Sequence, residues 1–263
     1  MKVNPKYTGS DGSYATNVDR DSGPASVHPD DEHGGQILTD ADLDLPPLPE
    51  LIPVQVGLDL GQVNDSSAFT IAEPEDRDGV VHHNVRRLER IPRGTPYPAI
   101  VDRTEEIMRN LGKMSTKRIA EGLPGLDPLL VIDAGGVGRS VADSLEERGL
   151  ELVRVTFTGG GGLREKEDGS WTVAKGTLVG SLLMLIQDGR VHLPEGTVDS
   201  EAMIEELRAF RVDTTKSGNE VYAAKTGSHD DLLMSLALAT LPGLRPKIKH
   251  SYFGIAAVRT QGW

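Results

Sequence analysis

Leu129-Leu130-Val131-Ile132-Asp133-Ala134-Gly135-Gly136 is the stretch on which the fold class turns. Four consecutive apolar residues after Pro128 are too few for a buried helix and read as a short strand covered on both faces. Apolar residues at helical spacing follow from Val137 to Arg148, and Gly149 ends the helix. A further strand is expected at Glu151–Phe157. Strand, helix, strand in that order is a βαβ unit, which places its two strands parallel in one sheet.

Upstream, Val54–Leu60 and Ser67–Ala72 flank the turn-rich Gly61-Gln62-Val63-Asn64-Asp65 and read as an antiparallel hairpin, with a third strand at Val80–Ile91. Ile100, Val101, Thr104, Ile107, Met108 and Leu111 give a helix over Pro98–Leu111. Downstream, the glycines at 159–162 interrupt the pattern. Helices are then expected at Val173–Gln187 and Ser200–Phe210, with a short extended piece at Arg190–Leu193 between them. Phe210–Val212 and Glu220–Ala223 flank Lys216-Ser217-Gly218-Asn219 as a hairpin, and Asp230–Leu241 is apolar nearly all round, so it is a buried helix. The expected architecture is a mixed α/β sheet with an antiparallel flank. No internal repeat is visible.

Composition divides the 263 residues into three parts. Residues 1–50 hold ten acidic and three basic residues with almost no apolar periodicity, so residues 1–52 are expected to be a disordered acidic tail closed by the linker Leu45-Pro46-Pro47-Leu48-Pro49. Residues 53–244 form the expected domain. Residues 245–263 carry four basic residues and no acidic one, and with Tyr252, Phe253 and Trp263 they suggest a nucleic-acid or partner contact. The absence of cysteine excludes a disulfide scaffold, a cysteine-ligated zinc site and a thiol nucleophile. No stretch approaches the roughly 18 apolar residues of a membrane span and no apolar signal core is present, so a soluble intracellular protein is expected. The net charge of −12, of which −9 lies on residues 51–244, argues against a generic basic nucleic-acid binder.

Acidic residues stand where packing alone would not put them. Asp59 interrupts Val56-Gly57-Leu58-Asp59-Leu60, Asp133 ends the buried strand, and Asp230 and Asp231 open the buried helix. A lone carboxylate in such a place costs several kcal/mol unless a cation or donor compensates it. Read singly, Asp59 begins a turn, Asp133 bonds the Gly135-Gly136 backbone and Asp230 caps a helix. Taken together on one sheet edge, they suit a hard cation with oxygen ligands, Mg²⁺ or Mn²⁺.

In this order and spacing the motifs resemble the nuclease domain of phage terminase large subunits, over about residues 54–241. Gly57-Leu58-Asp59-Leu60-Gly61 with Asp65-Ser66-Ser67-Ala68 is similar to the family's first acidic strand and turn. Val131-Ile132-Asp133-Ala134-Gly135-Gly136-Val137-Gly138 is similar to its second. Lys175, Gly189-Arg190-Val191-His192-Leu193-Pro194, Glu206-Leu207 and Phe210 resemble the stretch that follows, and His229-Asp230-Asp231-Leu232 the third acidic motif. The resemblance implies an RNase H-like fold, a mixed five-stranded sheet with helices on both faces, that cuts double-stranded DNA with two divalent ions. It implies Asp59 as a bridging ligand, with Asp133 on one ion and the Asp230–Asp231 pair on the other. Within that pair it favours Asp231 as the direct ligand. His229 is then a candidate to orient a water or leaving group, and Lys175, Lys225 and Arg139 are candidate phosphate contacts.

Terminase large subunits also carry a packaging ATPase with a Walker A loop. No G-x-x-x-x-G-K-[ST] occurs in this sequence, so no DNA translocation is expected of this chain alone. The implied partners are a separately encoded ATPase that delivers the DNA, the small terminase subunit and the portal. The implied setting is the cytoplasm of a bacterial host, with a phage or prophage gene.

Competing readings are weaker. An actin- or sugar-kinase-type phosphate binder also places Asp-x-Gly between strands, as in Asp59-Leu60-Gly61, but needs two such domains. A dinucleotide-binding reading of Gly136 and Gly138 fails because position 141 is Val. A Holliday-junction resolvase shares the carboxylate logic on a different substrate. A non-catalytic packaging adaptor would not require acids at all three motifs.

Overall fold

The computed structural model describes residues 49–61, 65–159, 162–214, 220–224 and 229–241. The expected acidic tail, the basic tail and Lys225 lie outside the described residues, apart from the last few positions before β1.

Side chains alternate sharply along β1 (Leu51–Asp59). Val54, Val56, Leu58 and Leu60 enter one apolar cluster, so Gln55, Gly57 and Asp59 face the other side of the sheet. β2 (Ser67–Arg77) and β3 (Val80–Ile91) extend β1 as an antiparallel meander, with Leu58 opposite Phe69 and Asp59 opposite Ala68. α1 (Tyr97–Ala120) then crosses the sheet, and β4 (Gly125–Asp133) returns parallel to β1, pairing Leu58 with Ile132. α2 (Gly138–Glu147) leads to β5 (Leu152–Thr158), parallel to β4. This is the expected βαβ unit. The remainder comprises β6 (Arg164–Glu165), β7 (Trp171–Ala174), α3 (Lys175–Gln187), β8 (Val191–His192), α4 (Val198–Ala209), the antiparallel pair β9 (Phe210–Thr214) and β10 (Glu220–Ala224), and α5 (Asp231–Thr240).

The main sheet runs β6-β7-β5-β4-β1-β2-β3-β8. Its centre is the expected five strands, and the short β6, β7 and β8 extend it to eight. One of these corrects the helix expected from Val173: Trp171, Thr172 and Val173 pair in parallel with β5, and α3 begins at Lys175. Aromatic and β-branched residues favour a pleated, half-buried surface, and both Trp171 and Val173 are buried there. α1 runs on past the expected end at Leu111 to Ala120, because Ser115 both donates to and accepts from the Leu126 backbone and ties the extra turns to β4. β1 begins at Leu51, three residues before the strand onset expected at Val54, paired with Gly125.

Two apolar clusters flank the sheet. α1 and α2 cover the face presenting Val56, Leu58, Leu130 and Ile132, while α3, α4 and α5 cover the face presenting Ala68, Leu88, Val131 and Val155. Among the described residues no helix is long and apolar enough to cross a membrane.

Candidate active site

Period-two alternation decides which acids meet. On β1 the residues facing α5 are Gln55, Gly57 and Asp59; on β4 Val131 faces that side, and so does Asp133, two residues further on. The parallel register of Leu58 with Ile132 brings both carboxylates to the same end of adjacent central strands. α5 lies across this face. A Cβ on Gly57 would strike the Ser235 carbonyl oxygen, and Thr70 bonds the Ser235 hydroxyl at 2.8 Å. The start of α5, with Asp230 and Asp231, is thereby placed over the strand ends.

The charges of Asp133, Asp230 and Asp231 all reach Asp59. Burial pushes the Asp59 carboxyl well above the usual carboxylate range, and the charges of Asp133, Asp230 and, less strongly, Asp231 push it further. Burial also raises Asp133, against the pull of the Gly135 N–H, which donates to Asp133 Oδ1 at 2.8 Å. Lys175, the first residue of α3, acts on both acids in the opposite direction and bonds Asp230 Oδ2 at 2.7 Å. Asp230 occupies the N-cap position of α5, yet its side chain makes no capping bond. Its carboxylate is turned to Lys175 instead.

Asp231 is 4% exposed, and its Oδ2 accepts from Arg90 Nε at 2.7 Å. Arg90 stands on β3 two residues beyond Leu88, hence on the same face, and its guanidinium also bonds Glu206 of α4. Glu206 is buried, and its other oxygen accepts the Leu233 N–H at 2.9 Å. Burial, reinforced by Asp231 and opposed by Leu233 and Arg90, pushes Glu206 up to about 7.

Of the residues singled out in the sequence, Asp59, Asp133, Asp230, Asp231 and Lys175 are brought together. His229 stands beside them, its Nδ1 3.9 Å from Asp231 Oδ1 and its ring in contact with the Arg93 guanidinium. Arg139 is exposed on the first turn of α2, and nothing ties it to the carboxylates. Arg90 was missed in the sequence, and Glu206 was noted without a role. The available signal for Glu206 was an acid on the buried face of α4, in line with Ser200 and Met203. Among the described residues no three His, Asp or Glu side chains form a ready-made metal cage. One oxygen each of Asp133, Asp230 and Asp231 is turned to a protein donor.

No family model matches the sequence. The chain is 27% identical over 184 residues to the terminase large subunit of Thermus virus P23-45, an alignment covering 70% of this chain and 30% of that relative. The chain thus spans about 30% of the length of the curated relatives it matches. Its fold is similar to the crystal structure of the large terminase nuclease from thermophilic phage G20c, with a TM-score of 0.51 and 24% identity over 72% of this chain and 81% of that one. A magnesium-bound structure of that nuclease aligns at a TM-score of 0.48 with 25% identity, over 72% and 80% of the two chains.

Proposed function

We propose that this chain is a divalent-metal-dependent DNA endonuclease of the terminase large-subunit kind, cutting concatemeric viral DNA during packaging in the host cytoplasm. The observation that carries the reading is the convergence of Asp59, Asp133, Asp230 and Asp231 on one strand-end site, where burial and mutual repulsion hold the Asp59 carboxyl far above its usual range. The donor set fits hard cations: four carboxylates, and no cysteine in the chain. Asp59, at the centre, would be shared by two ions, with Asp133 on one side and the Asp230–Asp231 pair on the other. Magnesium or manganese held there would lower the pKa of a water, making it nucleophilic towards a phosphodiester at neutral pH, and would supply charge to stabilise the leaving oxygen.

The chain's own residues prepare that chemistry. The Gly135 N–H fixes one oxygen of Asp133, and Arg90 fixes one oxygen of Asp231, leaving the second oxygen of each for a cation. Lys175 balances Asp230 and supplies positive charge for a phosphate at the same edge. His229 stands close enough to Asp231 to hold a water or the leaving group. The acidic domain surface disfavours non-specific DNA binding, so delivery by a partner ATPase accompanies this reading, together with the small terminase subunit and the portal.

Plasmid nicking in Mg²⁺ or Mn²⁺, with EDTA and Asp59→Ala as controls, tests it. Metal-dependent nicking by the wild type alone is expected; equal cleavage by Asp59→Ala overturns the site. Within the acidic pair, Asp231→Asn is expected to abolish cleavage. Asp230→Asn, which removes the Lys175 partner and a charge felt strongly at Asp59, is expected to leave activity lowered about 10–100-fold. Reversed results would exchange the two roles.

A further inference from the structure

The start of α5 is capped from outside. Asp230 sits at the N-cap, where its carbonyl accepts the Met234 N–H but its side chain makes no capping bond, and the Leu233 N–H is satisfied by Glu206, a residue of α4. The second oxygen of Glu206 holds Arg90, and Arg90 Nε holds Asp231 Oδ2 at 2.7 Å. The path from Leu233 through Glu206 and Arg90 to Asp231 therefore returns to the same helical turn. Both acids in it are buried, with side chains 5% exposed, against 28% for Arg90.

Such a ring is a poor device for stability alone, because apolar residues of equal volume generally stabilise as well or better. What it supplies is direction. A planar guanidinium held at both edges cannot rotate freely, so it fixes which oxygen of Asp231 faces the strand ends. With Glu206 acting as cap, Asp230 is released to face Lys175 and the other acids.

We propose that Glu206 and Arg90 are positioning residues for the metal-binding carboxylates: Glu206 caps α5 in place of Asp230 and anchors Arg90, which orients Asp231 towards the cation. This rests on the nuclease reading above. Both act through Asp231 and the first turn of α5.

The test compares full-length wild type with Glu206→Gln, Arg90→Lys and Glu205→Gln, an exposed neighbour on the same helix that serves as the control. Gln at 206 keeps an oxygen for the Leu233 N–H but turns an amide NH₂, a donor, towards Arg90 in place of the second acceptor oxygen. Lys at 90 keeps the charge but cannot bridge two carboxylates. Mn²⁺ binding is measured by calorimetry, alongside thermal melting and nicking across a Mn²⁺ titration. Glu206→Gln and Arg90→Lys are expected to weaken Mn²⁺ binding about 10–100-fold, as loss of groups supporting metal ligands typically does. Their cleavage should recover at saturating Mn²⁺, and Glu205→Gln should behave as wild type. Lower melting temperatures with unchanged Mn²⁺ affinity in both variants would show a structural role only and overturn the proposal. Should Arg90→Lys fail to fold, Glu206→Gln decides alone. If the wild type itself binds no Mn²⁺, the nuclease reading falls and takes this inference with it.

Discussion

Gly57 lies directly beneath Ser235: a side chain on Gly57 would collide with the Ser235 carbonyl oxygen and bring its Cβ within 2.6 Å of Ala239 N. A central strand and the helix carrying two of the four acids thus touch backbone to backbone, two residues before Asp59 on the same face. Gly57→Ala forces them apart. Overpacking of this kind costs roughly 1–3 kcal/mol, and backbone atoms cannot yield as a side-chain tip would. The expected outcome is a melting temperature several degrees lower and a large loss of metal-dependent cleavage even in the folded fraction. Wild-type melting and cleavage in Gly57→Ala would show that the close approach does not set the site.

Removing the Asp59 charge should stabilise the metal-free protein while destroying its proposed function. The carboxyl is partly buried, which disfavours its charged form, and is repelled by Asp133, Asp230 and Asp231, with Lys175 offsetting only part of this. Asp59→Asn is expected to gain about 1 kcal/mol or more in EDTA, roughly 2–4 °C in a domain of this size. Mn²⁺ should raise the melting temperature of the wild type and not of the variant, since only a protein that binds the ion in its folded state is stabilised by it. A variant less stable than wild type in EDTA would contradict the electrostatic account.

The pH dependence of stability carries a signature of Glu206. Its folded value of about 7 stands above the ordinary 4.5, so between these values the folded chain holds more proton at this position than the unfolded one. The stability it contributes is complete below about pH 4.5 and is lost as pH rises through about 7. His82 and His83 act oppositely: burial and neighbouring cations hold both below 6.5, His83 at about 4, which favours the fold as pH rises through that lower window. Comparison with Glu206→Gln cancels the histidines. The wild-type melting temperature minus that of Glu206→Gln, measured in EDTA, should fall between pH 5 and pH 8. A difference independent of pH would show that Glu206 is not held near neutrality.

Much of this molecule was legible before folding. The hairpin, Val80–Ile91 as a strand, the βαβ unit and the buried last helix follow from local periodicity, which survives whatever the chain later packs against. Where a few residues had to choose between helix and strand, as at Trp171–Ala174, the pairing partner β5 decided. The acids at the ends of β1, β4 and the start of α5 were conspicuous because each breaks an apolar run. Arg90 was not. It stands among Arg86, Arg87 and Glu89 on a strand whose outward positions are charged in any case, and nothing local separates a solvated arginine from one closing over a buried acid.

By itself, then, the sequence determined which segments become strands and helices and which carboxylates sit at their ends, because side-chain period and the cost of burying charge are properties of short stretches. Only the tertiary structure decided which cations answer those carboxylates. Lys175 meets Asp230, and Arg90 with Glu206 meets Asp231, across separations of 55, 141 and 116 residues along the chain. Those encounters depend on which face each strand turns to α5, and a single residue of register would send Arg90 to the opposite side of the sheet.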